Sequence, residues 1–498
     1  MNLPHARPTD SAVHAKIDRL SRGHAPRVLE LCSGCGGLSL GLKSAGFELI
    51  AHIESDPVAA ETYAMNLGCT GDSSHQRASA RDMTKVSPEQ LTKQFGLTTS
   101  PANSFDVVAA GLPCQAFARI GRSKLRSIDG DERAFKRDAR ASLYKRFLEY
   151  VGAVRPLVVL IENVPDILNF GGRNVPEEIC QTLAALGYRS AYTLLNAAFY
   201  GVPQMRERLI LIAIHKALGV DPIFPAPTHT IELPRGYEGS RRVALKNVPE
   251  SGSHFVPIPR ATRRLRRAVS CREALGDLPL IYEHLGDPNE MRRRRVQNEL
   301  PYRDAKTRSA YARLMREWRG FGMHQTLDGH VVRLTPRDFA IFRRMPPGTD
   351  YPVAVRIARS IFRERLWSRR RSRVVTPRMA EYRDLWEDTV PPYDPGKFPN
   401  KWWKLVPSQP SRTLTAHLGK DTYSHIHYDA RQCRTISVRE AARLQSFPDG
   451  FRFAGQMNAA FRQIGNAVPP LLAVAIGRVL RKMLVAASTA ATRRRSAA

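Results

Sequence analysis

Short apolar runs alternate with helix-like segments between residues 27 and 215. The runs are rich in β-branched residues and predict strands at VLELCSG (28–34), ELIAHIES (48–55), DVVAAGLPC (106–114), PLVVLIENV (156–164) and RERLILIAI (206–214). Helical spacing lies between them in GLSLGLKSAGF (37–47), SLYKRFLEYVGAV (142–154) and EEICQTLAALGY (177–188). This alternation predicts an α/β fold with a mostly parallel sheet that is covered by helices on both faces.

The regular pattern is interrupted once and then resumes. Residues 216–410 are irregular and rich in Pro and Arg, whereas SVREAARLQSF (437–447) and PPLLAVAIGRVLRKML (469–484) predict helices. The simplest organisation is an α/β domain in two parts around a smaller basic insertion, with loose ends. In chain order, the predicted flexible leader, first α/β part, inserted domain, second α/β part and disordered basic tail are 1–25, 26–215, 216–410, 411–485 and 486–498.

The charge balance points to a polyanionic partner. The 498 residues include 77 Lys and Arg but 46 Asp and Glu, which gives a formal net charge of +31. Residues 241–380 alone carry a net +19, mostly as Arg in the runs ATRRLRR (261–267), MRRRR (291–295) and WSRRRSR (367–373). Arg binds phosphate bidentately and can read guanine edges in the major groove. The insertion is therefore expected to face nucleic acid.

Membrane and secreted proteins fit the sequence poorly. No uninterrupted apolar run reaches the roughly 18–20 residues of a membrane-spanning helix, and the start of the chain lacks the apolar stretch of a signal peptide. The cysteines number seven, an odd count that is typical of free thiols in a reducing cytosol. A cytoplasmic location is expected.

A glycine turn follows the first predicted strand, in LELCSGCGG (29–37). Glu54 lies 20 residues beyond Gly34, at the end of the next strand, where a carboxylate can accept both ribose hydroxyls of a nucleoside. The dinucleotide pattern G-x-G-x-x-G fails because its last position is Ser39, and the phosphate-loop pattern is one residue out of register. These spacings leave a nucleoside cofactor without a phosphate requirement, and S-adenosylmethionine is the obvious candidate.

The same turn contains Cys32 and Cys35, which form a CxxC pair. A pair inside a strand-to-helix turn, without a second CxxC, is poorly placed for tetrahedral zinc. No metal site is predicted.

Three further motifs carry reactive side chains at predicted strand ends. Cys114 lies in GLPCQAF (111–117), Glu162 begins ENV, and Arg206 and Arg208 in QMRER share one face by the period of a strand. A lone cysteine is more often a buried, inert thiol. In combination, however, a thiolate can attack an electrophilic carbon, a carboxyl group can protonate a ring nitrogen, and a guanidinium can hold a ring carbonyl.

The ordered set of motifs resembles the DNA (cytosine-5)-methyltransferase family. The resemblance covers 27–215 and 405–480, and it rests on the segments LCSGCGGLSLGL, IESD, GLPCQAF, ENV, QMRERLILIA, SRTLTA, TISVREAARLQSFPDGFRF and QIGNAVPPLLA. It implies a Rossmann-like methyltransferase sheet, methyl transfer from S-adenosylmethionine to C5 of cytosine in DNA, and a target-recognition domain at 216–410. Cytosine must leave the base stack for this chemistry, so base flipping is also implied.

The resemblance implies a role for each matching residue. Cys114 would add to C6 of cytosine, Glu162 would donate to N3 and the exocyclic amine, and Arg208 would contact O2. Glu54 would bind the ribose hydroxyls of the cofactor, Asp82 would contact its adenine amino group, and Asn466 would lie beside it. The cofactor turn would be shaped by Gly34, Gly36 and Gly37.

Some positions depart from the family pattern. Cys32 replaces the usual Phe and Ala118 replaces the usual Ser, and the loop 118–140 is unusually long and charged. We expect this loop to close over DNA. The residues predicted to contact DNA are Gln115, Arg119, Arg122, Lys124 and Arg206.

Two alternatives remain at this point. One is a tRNA cytosine-5 methyltransferase of the same fold, which the large Arg-rich segment disfavours. The other is a catalytically silent DNA-binding regulator. Double-stranded DNA is the expected partner, a monomer is expected, and a cognate restriction endonuclease cannot be inferred from the chain.

Overall fold

The computed structural model describes residues 11–68, 78–112, 143–249, 251–303, 308–371 and 375–497. The chain forms two compact units. Unit 1 comprises Met1–Arg267 together with Ala467–Ala498, and unit 2 comprises Ala268–Asn466. The domain boundaries after 215 and 410 stay a prediction.

Unit 1 is built around one six-stranded sheet. Its strands are β1 Arg27–Leu31, β2 Glu48–Ile53, β3 Val107–Gly111, β4 Val158–Asn163, β5 Tyr188–Asn196 and β6 Glu207–His215. Their order is β2-β1-β3-β4-β6-β5, and all pairings are parallel except those that β6 makes with β4 and β5. The predicted α/β fold with a mostly parallel sheet is confirmed. Strand β5 was not predicted.

The central strands are apolar because they are buried on both faces. Every residue of β4 and of β6 is buried, as expected for strands with neighbours on both sides and helices above them. The carboxyl ends of the parallel strands β1, β3 and β4 reach the same edge of the sheet, where binding sites of open α/β sheets lie.

The helices predicted over 37–47, 142–154 and 177–188 are present in unit 1, whose other helices before unit 2 were not predicted. In chain order before unit 2 the helices are α1 Ser11–Ser21, α2 Gly37–Ser44, α3 Pro57–Leu67, α4 Pro88–Gln94, α5 Pro101–Ser104, α6 Leu143–Val154, α7 Val175–Ala185 and α8 Arg235–Leu245. Two short strands, β7 His229–Thr230 and β8 Arg266–Arg267, form a separate parallel pair.

The prediction of a flexible leader over 1–25 is wrong for residues 11–21. They form α1, which buries Val13, Ile17 and Leu20 completely. The Lys16 ammonium group is buried as well and donates to the carbonyl oxygens of Val154 and Arg155, both at 2.9 Å. Apolar positions spaced by three and four residues give the helix its buried face.

Unit 2 consists of mostly short helices, one helix of 20 residues and two short strands around its own core. The elements are α9 Cys271–Leu275, α10 Glu283–Gly286, α11 Pro288–Arg293, β9 Leu300–Pro301, α12 Ala310–Arg316, β10 Thr326–Leu327, α13 Phe339–Arg344, α14 Tyr351–Arg370, α15 Ala380–Glu387, α16 Val438–Leu444 and α17 Met457–Asn466. One cluster of buried residues joins α13, α14 and α15 with Trp402.

The last helix, α18 (Pro470–Ala497), returns to unit 1. It lies close to α2 at small residues: a Cβ on Gly41 would lie 2.7 Å from the Pro470 carbonyl oxygen, and a Cβ on Gly477 would lie 2.8 Å from the Ala45 Cβ. Residues 486–497 continue this helix, so the predicted disordered tail is wrong there. No helix within the described ranges is long and apolar enough to cross a membrane.

Candidate active site

The glycine turn between β1 and α2 is formed by residues with unusual backbone angles. Gly34 and Gly36 have φ of 55° and 91°, a region that favours glycine. A Cβ on Gly36 would collide with the side chains of Leu67 and Tyr63, the latter at 2.9 Å, whereas a Cβ on Gly34 would meet no atom within 4 Å. Gly36 is thus required by packing, and Gly34 borders open space where a ligand could approach the backbone. Gly37 is the first residue of α2.

Glu54 follows β2 and turns its carboxylate towards this turn. Its Oε2 accepts from the Gly34 amide at 2.7 Å, and its Oε1 accepts from the Asp56 amide at 2.8 Å. Burial raises the pKa of Glu54, although these backbone donors oppose the shift. Each carboxylate oxygen can accept more than one hydrogen bond. Glu54 therefore keeps acceptor capacity at the edge of the sheet, beside the open side of Gly34.

A polar layer lies beneath the turn and was not predicted from the sequence. Glu30 is buried in β1, accepts from the Ser39 hydroxyl group, and has its pKa raised to about 8 by burial. The Ser39 hydroxyl also contacts the Tyr63 hydroxyl at 2.9 Å, and Tyr63 stacks on His52 with ring centroids 3.7 Å apart. A glutamate inside an apolar strand was the signal that could have indicated this layer, because buried carboxyl groups need partners.

Asp82 is brought to the same side through the backbone of its neighbour. The Arg81 amide donates to the Glu54 carbonyl oxygen at 2.6 Å. The Asp82 carboxylate accepts from the amide and the hydroxyl of Thr84, at 2.9 and 2.7 Å, and these bonds lower its pKa. Both contacts use Oδ1. The contact between Asp82 and the adenine of a cofactor stays a prediction.

Glu162 and Arg208 form the second part of the site. Arg208 Nε lies 2.9 Å from Glu162 Oε1, and both side chains are about nine-tenths buried. Glu162 is in register with Gly111 at the end of β3, and a Cβ on Gly111 would lie 3.8 Å from Glu162 Oε2. The expected convergence of the carboxyl group and the arginine is present, although their catalytic roles stay predictions.

The remaining predicted site residues are placed less directly. Arg206 precedes β6 and its side chain is 1% exposed, so a DNA contact by it stays a prediction that needs its guanidinium to become accessible. Cys114, the predicted nucleophile, lies outside the described residues, as does the long loop 118–140. The predicted DNA contacts outside the described residues are Gln115, Arg119, Arg122 and Lys124.

Asn466 is the exposed last residue of α17 in unit 2. Gln463, one turn earlier, donates to the Ala454 carbonyl oxygen at 3.1 Å. Beyond Asn466 the chain re-enters unit 1, where Val468 lies beside the end of β3, 3.8 Å from a Cβ on Gly111. The role of Asn466 next to the cofactor stays a prediction.

Neither cysteine of the CxxC pair in the turn forms a disulfide bond. Cys32 has a positive φ of 54° and Cys35 is buried, and burial raises the pKa of both thiols. Within the part of the chain that the structure describes, no group of three His, Cys, Asp or Glu side chains is arranged to hold a metal ion.

The amino-acid sequence matches one protein family over most of its length. The model of a family described as C-5 cytosine-specific DNA methylase matches residues 26–482. A candidate type II methyltransferase of Oceanobacillus iheyensis, M.OihORF3336P, is 39% identical over 92% of this chain and 95% of its own length. The type II methyltransferase M.AgeI of Thalassovita gelatinovora is 30% identical over 91% of this chain and 99% of its own.

A solved structure has a similar fold. It is a candidate DNA modification methyltransferase encoded within a prophage of E. coli, with a TM-score of 0.57 and 20% sequence identity, and the match covers 92% of this chain and 99% of that one. At this identity the likeness concerns the fold alone.

Proposed function

This chain belongs to the C-5 cytosine-specific DNA methylase family, and from that premise we propose that Cys114 is the nucleophile of a DNA cytosine-5-methyltransferase, with Glu162 and Arg208 as its partners. The observation that carries the proposal is the buried Glu162–Arg208 pair beside the end of β3. Cys114 follows Gly111 by three residues, which span at most about 11 Å. This short connection supports the proposal that the chain supplies the thiol to the edge of the sheet where the pair lies.

The chemistry explains why these three groups are needed together. Cytosine C5 is a poor nucleophile until the Cys114 thiolate adds to C6 and a proton reaches N3, which places enamine electron density on C5. Glu162 donates the hydrogen bond or proton at N3, and Arg208 holds the O2 carbonyl while it fixes the Glu162 carboxyl. After C5 is alkylated, loss of the C5 proton re-forms the ring double bond and expels the Cys114 thiolate.

The turn and Glu54 fit a nucleoside cofactor. Gly34 has open space on the side where a Cβ would project, and the buried Glu54 carboxylate keeps acceptor capacity for two ribose hydroxyls. S-adenosylmethionine, which supplies an electrophilic methyl group, is the cofactor that we propose for this place. Asp82 is proposed to contact its adenine amino group, and Asn466 is proposed to lie beside the cofactor.

The substrate geometry follows from the chemistry. Neither C6 nor the face of C5 is accessible in a base stack, so the target cytosine must be flipped out of the duplex. The match to type II methyltransferases supports methylation at a short specific sequence. The long charged loop 118–140 is proposed to close over the DNA.

The direct test is transfer of labelled methyl groups from S-adenosylmethionine to mixed-sequence duplex DNA and, separately, to tRNA. The proposal expects 5-methylcytosine in duplex DNA with the wild type and none with Cys114→Ala, which should retain DNA binding. Cys180→Ala, which removes a buried thiol of α7 that belongs to none of the motifs, is the matched control. Label in tRNA alone would contradict the proposal, as would label in DNA that survives Cys114→Ala.

A further inference from the structure

The long helix α14 of unit 2 exposes a row of arginines on one side. Arg356, Arg359 and Arg363 are exposed and follow one another at intervals of three and four residues. Because a helix has 3.6 residues per turn, they lie on one face. Trp367 and Arg371 extend the row by four residues each, so the row covers about 22 Å at 1.5 Å per residue. We call Arg356, Arg359, Arg363, Trp367 and Arg371 the α14 stripe.

The opposite side of α14 is fixed in the core. Ala354, Ala358, Ile361 and Phe362 are at most 4% exposed and belong to the apolar cluster of unit 2. The helix therefore cannot rotate to hide its arginines without exposing apolar surface. A helix that presents a row of charges from a rigid base pre-organises those charges for a partner.

The neighbouring arginines are neutralised within the protein, whereas those of the stripe are not. Arg344 binds Glu364 through two hydrogen bonds of 2.7 and 2.8 Å, and Arg369 lies 3.3 Å from Glu381. Among the described residues, no salt bridge joins a carboxylate to Arg356, Arg359 or Arg363, although the charge of Arg363 contributes to lowering the pKa of the adjacent Glu364, which Arg344 already binds. Three like charges within two turns repel one another, and a polyanion would relieve that repulsion.

The far end of the stripe adds an exposed aromatic ring. Trp367 is 59% exposed, and the Arg371 guanidinium stacks over its indole at 3.7 Å from the ring centroid. An indole held in place by a cation–π contact offers a flat apolar surface next to positive charge. Both features suit nucleic acid, which presents sugar and base edges between its phosphates.

We propose that the α14 stripe binds the phosphate backbone of the duplex DNA substrate and so holds the enzyme on DNA independently of sequence. This rests on the proposed function only in taking duplex DNA as the substrate. Duplex DNA carries one negative charge per about 1.7 Å of axis, so a stripe of about 22 Å faces a dense row of phosphates. Guanidinium groups bind these oxygens bidentately.

The test uses the salt dependence of DNA binding, because each released counterion contributes to the slope of log K against log salt concentration. Neutralising three phosphate contacts lowers the magnitude of this slope by about 2.7. The variant is the triple substitution Arg356→Gln, Arg359→Gln and Arg363→Gln, measured on several duplexes of unrelated sequence. We expect a uniformly weaker affinity, a smaller slope and an unchanged melting temperature.

The matched control removes the same net charge from exposed arginines that already have carboxylate partners. These are Arg173 with Glu178, Arg189 with Asp221 and Arg495 with Asp18. The control triple variant, with all three changed to Gln, should keep nearly the wild-type slope. Equal slopes for the two triple variants would show that only overall charge matters and would overturn the proposal.

Methyl transfer separates this proposal from the proposed function. The stripe variant should have a raised KM for DNA and an unchanged kcat, since its substitutions lie outside the proposed catalytic groups. The wild type could lack transferase activity while the stripe variant still shows a smaller salt slope than the wild type. That result would refute the proposed function and support the proposed role of the α14 stripe in DNA binding. A stripe variant that loses self-association in sedimentation, with an unchanged salt slope, would assign the row to a protein partner and overturn the proposal.

Discussion

Unit 2 uses arginine in two opposite ways. Arg434, Arg439 and Arg443 are at most 1% exposed, whereas Arg356, Arg359 and Arg363 of the α14 stripe are exposed. The first group is surrounded by carboxylates and carbonyl oxygens of the protein, and the second faces solvent. The difference shows that net charge alone does not reveal where a polyanion binds. What matters is which arginines lack an internal partner.

The buried group is satisfied completely. Arg443 lies 2.9 Å from Asp277 and also pairs with Asp449. Arg434 binds Glu440 with two bonds of 2.7 Å, and Arg439 pairs with Asp328 and donates to the Phe451 carbonyl oxygen at 3.0 Å. Buried charges persist only when they are paired in this way. These arginines hold unit 2 together and are unavailable to DNA.

The largest expected effect is on stability, from Arg443→Gln. This change removes the cation with which both Asp277 and Asp449 pair, and it leaves Asp277 with Arg316 at 3.6 Å. Breaking such a buried pair destabilises a protein by about 3–5 kcal/mol. The midpoint of denaturant unfolding of the protein should therefore move to a much lower concentration, or the variant should fail to fold. Arg462→Gln, at an exposed arginine of α17, is the control and should change stability by less than about 0.5 kcal/mol. Similar small effects for both variants would remove the distinction between the two groups.

Acid should break the buried group next. Burial alone would raise the pKa of Glu440, but the charges of Arg434 and His427, together with hydrogen bonds from Arg434 and the Ser437 amide, outweigh it and lower the pKa to about 2. A carboxyl group with a depressed pKa contributes stability above its unfolded pKa of about 4.5 and loses that contribution as the pH falls towards 2. The free energy of unfolding of the wild type should thus decrease as the pH falls from about 4.5 to 2. The double variant Arg434→Met with Glu440→Gln should show a shallower pH dependence in this range, and an unchanged dependence would contradict the pairing.

The substitution Arg208→Gln tests whether a buried arginine contributes to catalysis rather than to stability. Arg208 has one carboxylate partner, Glu162, and lies at the edge of the sheet. Loss of a positioned donor in an active site lowers kcat by about 10²–10³-fold. Arg208→Gln should lower the methyl-transfer rate to this extent while Arg189→Gln, on the exposed side of β5, changes it little. A variant that melts earlier but transfers methyl groups at the wild-type rate would place Arg208 with the structural arginines.

The smallest expected effect is on stability from a single stripe arginine. Arg359 has no ion-pair partner among the described residues, so Arg359→Gln should change the free energy of unfolding by less than about 0.5 kcal/mol. The same variant should reduce the salt slope of DNA binding by about 0.9. A loss of stability above 1 kcal/mol would mean that Arg359 has a structural role.

Local sequence patterns predicted most of the sheet. The first four strands and β6 are apolar runs that end in Gly or polar turns, so their positions could be read directly. Strand β5 was missed although Gly187, with φ of 91°, separates it from the preceding helix, because YRSAYTLLN has the polar Arg189 and Ser190 near its start rather than a continuous apolar run. The helix α1 and the extension of α18 were missed because their ends look polar, although α1 buries one apolar face.

Contacts distant in sequence could not be predicted. The segment TISVREAARLQSFPDG predicts a helix, but it does not indicate that Arg443 binds Asp277, which lies 166 residues earlier. Likewise, the bond between Glu54 and the Gly34 amide depends on β1 and β2 being neighbours. The motifs indicated which residues belong to the site, but not which of them already bind one another.

The central claim is a covalent step at Cys114, and trapping tests it most directly. Duplex DNA that contains 5-fluorocytosine at the methylated position cannot lose a proton from C5, so the enzyme should stay attached after methyl transfer. Proteolysis and mass spectrometry then identify which of the seven cysteines carries the nucleotide. The account predicts one adduct, on the peptide that contains Cys114. An adduct on another cysteine, or no adduct while methyl transfer to normal DNA proceeds, would contradict it.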